Sequence, residues 1–277
     1  GFRIFRSQTL RVVILPDYDA LSRWAAERVV QRIHRFGPSS ERPFVLGLPT
    51  GSTPLGLYRH LAELCRQGQV SFRHVITFNM DEYVGLPAGH AESYRTFMER
   101  NFFSQVDLPA EQAHVPNGNA ADLPAECAQY EAAIRSAGGI ELFIGGLGHD
   151  GHLAFNEPGS SLTSRTRVVR LTEETIRANS RFFNHDVSQV PREAVTVGVG
   201  TITDAAEVML LVSGIGKARA LKQVVEGSVS QMCTASALQL HPQATVVCDE
   251  DATAELMVGT AKYFKQQEMG RGPADDM

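Results

Sequence analysis

The chain has 277 residues, of which 43% are apolar, and a formal net charge of −5. That length suits one large α/β domain or two modest ones, with ample apolar material for a core and no composition that predicts disorder. The acidic balance and the absence of a Lys/Arg cluster argue against a nucleic-acid partner, and the longest apolar runs, such as 208–212, are far too short to span a bilayer. Cys65, Cys127, Cys233 and Cys248 are scattered without a C-x-x-C pair, and residues 1–11 carry three arginines but no apolar signal core. Reduced thiols in a soluble cytoplasmic protein are expected.

Strands alternate with helices along the chain. Residues 10–15 (LRVVIL) read as a strand, and 19–36 place Leu21, Trp24, Ala25, Val29 and Ile33 at a helical period. A second strand is expected over 42–48, followed by Pro49-Thr-Gly-Ser-Thr-Pro54, with Pro54 opening a helix behind a Ser52 or Thr53 cap. That helix carries Leu57, Leu61 and Leu64 and ends near Gly68. A third strand spans 74–78 and runs into Asn79-Met-Asp-Glu-Tyr83. Helices follow over 93–103 and 124–137. Residues 140–146 form an apolar run ending in glycines, read as a buried strand that feeds a tight loop. Beyond it lie a strand at 166–171, a polar helix with little apolar face at 172–183, strands at 194–199 and 207–212 around a turn at Thr203-Asp204, and a helix from Gly214-Ile-Gly-Lys217 through Val225. A strand at 244–248 and a helix at 252–267 close the chain. The pattern predicts one domain built on an open, mostly parallel, Rossmann-like sheet with helices on both faces.

The loop after the glycine-ended strand carries His149, Asp150, His152 and Glu157 within nine positions. In open α/β sheets ligands sit at the carboxyl ends of the strands. Gly146-Leu-Gly-His-Asp-Gly151 matches G-x-G-x-x-G, but a dinucleotide site needs a long helix from the third glycine, and Pro158 comes too soon for one. The same side chains are possible metal ligands, although no H-E-x-x-H or similar spacing is present. Neither a cofactor nor a metal is expected. Thr50, Gly51, Ser52 and Thr53 offer hydroxyls and backbone N–H groups ahead of a helix, a combination that suits a phosphate. The Gly214–Lys217 turn is a second such element, with a lysine. Of the adjacent Asp81 and Glu82, one is expected to face the cleft and the other to pack elsewhere. His90, His114, His185 and His241 read as structural or surface groups.

The blocks Leu48-Pro-Thr-Gly-Ser-Thr-Pro54, Thr77-Phe-Asn-Met-Asp-Glu-Tyr83, Gly148-His-Asp-Gly-His-Leu-Ala-Phe-Asn-Glu-Pro158 and Ser164-Arg-Thr-Arg167 together resemble the glucosamine-6-phosphate deaminase family, over about residues 10–263. The first block is shared more loosely with 6-phosphogluconolactonases and with sugar-phosphate-sensing domains of bacterial regulators. The resemblance implies conversion of glucosamine 6-phosphate and water to fructose 6-phosphate and ammonia by a cofactor-free aldose–ketose isomerisation, in the catabolism of N-acetylglucosamine and sialic acid. It assigns Asp81 as the base that moves the C2 proton to C1, His152 as the ring-opening group, and Asp150 and Glu157 as its flanking carboxylates. It places Thr50, Gly51, Ser52, Thr53, Arg181 and Lys217 around the sugar phosphate. It makes about 171–194 a lid carrying Arg181. Many bacterial members are hexamers activated by N-acetylglucosamine 6-phosphate between subunits. Ser160, Arg167 and Tyr263 match that activator site, and Val169 replaces its lysine, so a homohexamer is expected with a weakened effector site.

Overall fold

The structure is a computed structural model and describes residues 10–271. In chain order it comprises β1 (Arg11–Leu15), α1 (Tyr18–Phe36), β2 (Phe44–Leu48), α2 (Leu55–Arg66), β3 (Val75–Asn79), β4 (Asp81–Tyr83), α3 (Tyr94–Asn101), β5 (Ala113–His114), α4 (Leu123–Ser136) and β6 (Leu142–Gly146). There follow β7 (Arg167–Arg170), α5 (Glu173–Asn179), β8 (Glu193–Thr196), α6 (Val199–Thr203), β9 (Val208–Val212), α7 (Ala218–Glu226), β10 (Ala244–Asp249) and α8 (Val258–Met269). Seven strands form one sheet in the order β1-β10-β9-β6-β2-β3-β5, and every pairing in it is parallel.

Successive residues of the central strands point to opposite faces, which explains their nearly unbroken apolar sequences. Phe143, Leu210 and Val212 pack with Tyr130, Ile134, Leu221 and Val224 of α4 and α7. Leu142, Ile144 and Leu211 pack with Leu21, Leu57, Leu61 and Met98 of α1, α2 and α3. Helices therefore cover both faces, as the alternation predicts.

Chain order along the sheet reverses between β2 and β6. From β2 the chain proceeds through β3 to β5 on one side, and from β6 through β9 to β10 on the other. In open α/β sheets a crevice forms at such a switch point, outside the carboxyl ends of the strands. The loops that leave β2 and β6 there are 49–54 and 147–157, which carry two of the sequence blocks singled out above.

Three features depart from the sequence expectations. Residues 81–83, 193–196 and 167–170 form a separate antiparallel sheet, β4-β8-β7, in which Asp81 opposes Thr196. The short α6 occupies 199–203, where the strand was expected to run to 199. The last helix begins at Val258, not at 252, because 251–253 is a 3-10 turn. The segment 171–194 is also less polar in its packing than its composition suggests. Leu171, Ile176, Phe183 and Val190 are buried in a third cluster with Tyr83, Leu86 and Phe155. Among the described residues no helix is long and apolar enough to cross a membrane.

Candidate active site

Asp81 lies just past the carboxyl end of β3, and its side chain is buried with no hydrogen bond from any described protein group. Burial, reinforced by the charge of Glu82, pushes its carboxyl up to about 8. Glu82 turns the other way, as strand alternation requires. Its Oε1 accepts from the backbone N–H of Tyr83 and Tyr94, both at 2.9 Å, and its Oε2 from Arg95 N–H at 3.0 Å, so it caps the start of α3. Of the adjacent pair, Asp81 is the one left free for chemistry.

β2 and β6 are neighbours, and β3 flanks β2 on the other side. The ends of β3 and β6 are therefore two strand spacings apart, roughly 10 Å, a gap into which side chains from both can reach. His152 stands on the β6 loop. Its Nδ1 is 2.7 Å from Asp150 Oδ1 and 3.8 Å from Glu157 Oε2. Neither carboxylate lies in line with a ring N–H, so both contacts are electrostatic rather than well-directed hydrogen bonds. Burial disfavours the charged form of Asp150, but the close contact with the His152 ring and its charge, with help from the His152 backbone N–H and His149, outweigh it and hold the carboxyl at about 2. Gly148 makes room for the imidazole: a Cβ there would lie 2.4–2.6 Å from the ring atoms of His152. His149 instead faces Glu174, with Nε2 2.8 Å from Oε1.

Glu157 links this loop to α5. Its Oε1 accepts from Thr175 Oγ1 at 2.6 Å and from Thr172 Oγ1 at 3.3 Å, while Oε2 has no hydrogen-bond partner and faces His152. The loop is fastened from below by Thr234, whose Oγ1 accepts from Leu153 N–H at 3.1 Å and donates to Asn156 O at 2.9 Å, and by Thr196 Oγ1, which accepts from Phe155 N–H at 3.1 Å. None of these threonines stood out in the sequence, because a hydroxyl that braces a loop from elsewhere in the chain leaves no local pattern.

One donor atom from each of Asp150, His152 and Glu157 lies within 4.8 Å of the others, the one grouping among the described residues that could hold a metal ion. The 2.7 Å contact between His152 and Asp150 is closer than the roughly 3.3 Å that tetrahedral ligands about 2.0 Å from one ion keep. The present arrangement fits a carboxylate–imidazole pair better than a metal cage.

The turn at 49–54 lies between these two groups in the sheet. Gly51 turns the chain at φ +101°, where a side chain would be strained. The hydroxyls of Thr50, Ser52 and Thr53 make no hydrogen bond to described protein groups. Pro54 proves to be the helix cap rather than the first helical residue, and no side chain caps α2. In place of the expected cap, Tyr18 of α1 pins the turn: its hydroxyl accepts from Gly56 N–H at 2.8 Å and reaches Thr53 O at 2.9 Å. One of the helix's first N–H groups is thus taken by the protein.

Lys217 follows β9, on the other side of β6, and Arg181 lies in the 3-10 turn after α5, its guanidinium 4.6 Å from the Phe182 ring centroid. Burial lowers the Lys217 ammonium, and the charge of Arg181 lowers it further, while Asp150 acts in the opposite direction. Lys217 is thus close enough to feel the charges of both Arg181 and Asp150 of the His152 loop. A lysine whose charge is disfavoured by a neighbouring arginine is suited to an anion that neutralises both cations.

Ser160 and Arg167 are brought together, with Nη2 3.1 Å from Oγ, and Arg167 also donates to Asn156 Oδ1 at 2.8 Å. Tyr263 is exposed on α8, which packs on edge strand β1, and no contact joins it to that pair among the described residues.

A sequence profile of the glucosamine-6-phosphate isomerase/6-phosphogluconolactonase family matches residues 16–251. The chain belongs to this family. The glucosamine-6-phosphate deaminase of Porphyromonas gingivalis is 62% identical to it over 259 residues, covering 94% of this chain and 98% of that one. A solved structure described as a monomeric glucosamine-6-phosphate deaminase superposes with a TM-score of 0.84 at 40% identity, covering 88% of this chain and 99% of its own. The 6-phosphogluconolactonase from Trypanosoma cruzi superposes with a TM-score of 0.70 at 21% identity, over 91% of this chain and 98% of its own. That last likeness is one of fold.

Proposed function

We propose that this member of the family converts glucosamine 6-phosphate and water to fructose 6-phosphate and ammonia. The observation that carries the reading is the pairing, at one sheet edge, of a buried high-pKa carboxyl at Asp81 with the carboxylate-flanked imidazole of His152. Identity above 60% to a deaminase supports it over the lactonase alternative, to which the likeness is at the level of fold.

Nδ1 of His152 faces Asp150 and Glu157, which leaves Nε2 to exchange a proton with the ring oxygen and open the pyranose. In the open chain, ionised Asp81 takes the C2 proton and returns it to C1. Because C2 bears nitrogen, the intermediate is a cis-enolamine, which becomes an imine at C2. Water adds to that imine, the carbinolamine expels ammonia, and the C2 ketone of fructose 6-phosphate remains. A carboxyl whose pKa is near the working pH suits a group that must both accept and return a proton. Thr50, Gly51, Ser52 and Thr53, with Arg181 and Lys217, hold the phosphate. Residues 171–194 serve as a lid: binding of the phosphate to Arg181 draws the segment over the crevice and excludes water.

The proposal extends to a hexamer in the cytoplasm and to a second sugar-phosphate site at Ser160 and Arg167, completed by Tyr263. With Val169 in place of a cation, N-acetylglucosamine 6-phosphate activates weakly or not at all. Light scattering that gives the mass of a single chain contradicts the assembly. The decisive assay offers the purified protein glucosamine 6-phosphate and, separately, 6-phosphogluconolactone. Equimolar ammonia and fructose 6-phosphate from the first, with the second untouched, is expected. Lactone hydrolysis alone reassigns the chain to the lactonases, and tight binding without turnover makes it a sensor.

A further inference from the structure

Lys217 stands between the end of β9 and the start of α7. It closes a single 3-10 turn, Ile215–Lys217, whose Ile215 is 72% exposed and which no side chain caps from within. What holds the turn is Asp249, at the carboxyl end of β10 and 4% exposed. Its Oδ2 accepts from Ser213 Oγ at 2.5 Å, and its Oδ1 from Gly214 N–H and from Ala252 N–H, each at 2.9 Å. Gly214 O in turn accepts from Lys217 N–H at 3.0 Å. The chain of contacts therefore runs from the Asp249 carboxylate through a single residue, Gly214, to the backbone of the lysine. Register sets this up: Cys248 pairs with Val212, so Asp249, the last residue of β10, stands beside Ser213, the first residue after β9. With its oxygens occupied by these donors, Asp249 makes no ion pair with Lys217, whose ammonium stays available to an anion.

We propose that Asp249 is a positioning residue for the sugar phosphate, setting Lys217 by clamping the Ser213–Gly214 turn. The inference rests on the phosphate role given above to Lys217. Since a charge-assisted contact to phosphate depends on placement, its loss is expected to cost about tenfold in affinity.

The test compares the wild type with Asp249→Asn, Lys217→Met and their combination, by steady-state kinetics on glucosamine 6-phosphate and calorimetry with fructose 6-phosphate. Asp249→Asn is expected to raise KM and weaken fructose 6-phosphate binding about tenfold, while kcat changes by less than about threefold. The double variant is expected to bind no more weakly than Lys217→Met alone, because both changes act through one contact. A merely structural role would instead lower the yield of active protein without moving KM. Unchanged KM in folded Asp249→Asn, or effects that add in the double variant, overturns the proposal. If Asp249→Asn does not fold, Ser213→Ala takes its place: a two- to threefold rise in KM, of the order expected for one weaker contact, supports the clamp, and wild-type KM overturns it. A wild type that binds fructose 6-phosphate without releasing ammonia defeats the deaminase reading instead, and the calorimetry still decides the role of Asp249.

Discussion

Asp81 and Asp150 follow strands two places apart in the same sheet, yet their surroundings drive them in opposite directions. Asp81 has no cation and no donor beside it, only burial and a second carboxylate, and rises to about 8. Asp150 is also desolvated, but an imidazole 2.7 Å away overrides that and draws it down to about 2. The difference shows that the residue type does not set the role. One carboxyl is made into a proton carrier and the other into a permanent charge that orients a histidine.

The largest effect is expected from removing the proton carrier. Asp81→Asn keeps the shape and the buried polarity and loses ammonia release by at least about a thousandfold, while calorimetry still detects fructose 6-phosphate. Full activity in this variant breaks the comparison at its first half. On the other side, His152→Gln and Asp150→Asn are expected to slow turnover of the cyclic substrate by about a hundredfold, with a smaller loss on an open-chain analogue. Equal losses on both would remove ring opening from this loop. Gly148→Ala, which puts a methyl against the imidazole, is expected to cost about tenfold in kcat, since small misplacements of a catalytic group are expensive. Rates at or near wild type would mean the ring can shift without harm.

Stability sharpens the comparison further. The folded state raises the pKa of Asp81 above its ordinary value of 3.8, so its contribution is intact below that value and is lost as the pH climbs to about 8. Asp81→Asn is therefore expected to melt level with wild type near pH 3 and above it at pH 8. Asp150 has the opposite sign. Its folded pKa is lowered from 3.8 to about 2, so its stabilisation is present above 3.8 and disappears as the pH falls through about 2. Asp150→Asn is expected to lower Tm at pH 6 and to converge on wild type near pH 2. Parallel curves for the two variants would contradict opposite tuning.

Much of this arrangement could be read from the chain. The β2, β3 and β6 runs are largely apolar stretches, and each ends in a block with its own chemistry, so periodicity and parallel-sheet rules suffice to bring 50–53, 81 and 152 to one edge. The separation of Asp81 from Glu82 followed from strand alternation alone. What was not legible depends on contacts between distant segments. The β4-β8-β7 sheet joins residues 81–83 to 193–196, and nothing local in a three-residue strand announces its partner. The 171–194 segment looks polar because its buried side chains Ile176, Phe183 and Val190 come only once in seven residues, too sparse to mark an apolar face, and while Ile176 sits in a short helix, Phe183 and Val190 each follow a 3-10 turn. Tyr18 and Asp249 were missed for a similar reason. Each acts on a loop supplied by another part of the chain, Tyr18 on 53–56 and Asp249 on 213–214.

The opposed tuning of the two carboxyls can be measured directly, by carboxyl-carbon NMR of protein labelled at aspartate and titrated with pH, with Asp81→Asn and Asp150→Asn identifying the two signals. A resonance that titrates near 8 and vanishes in Asp81→Asn, beside one still ionised at pH 3 that vanishes in Asp150→Asn, is the predicted result. Both signals moving together near 4 would contradict it.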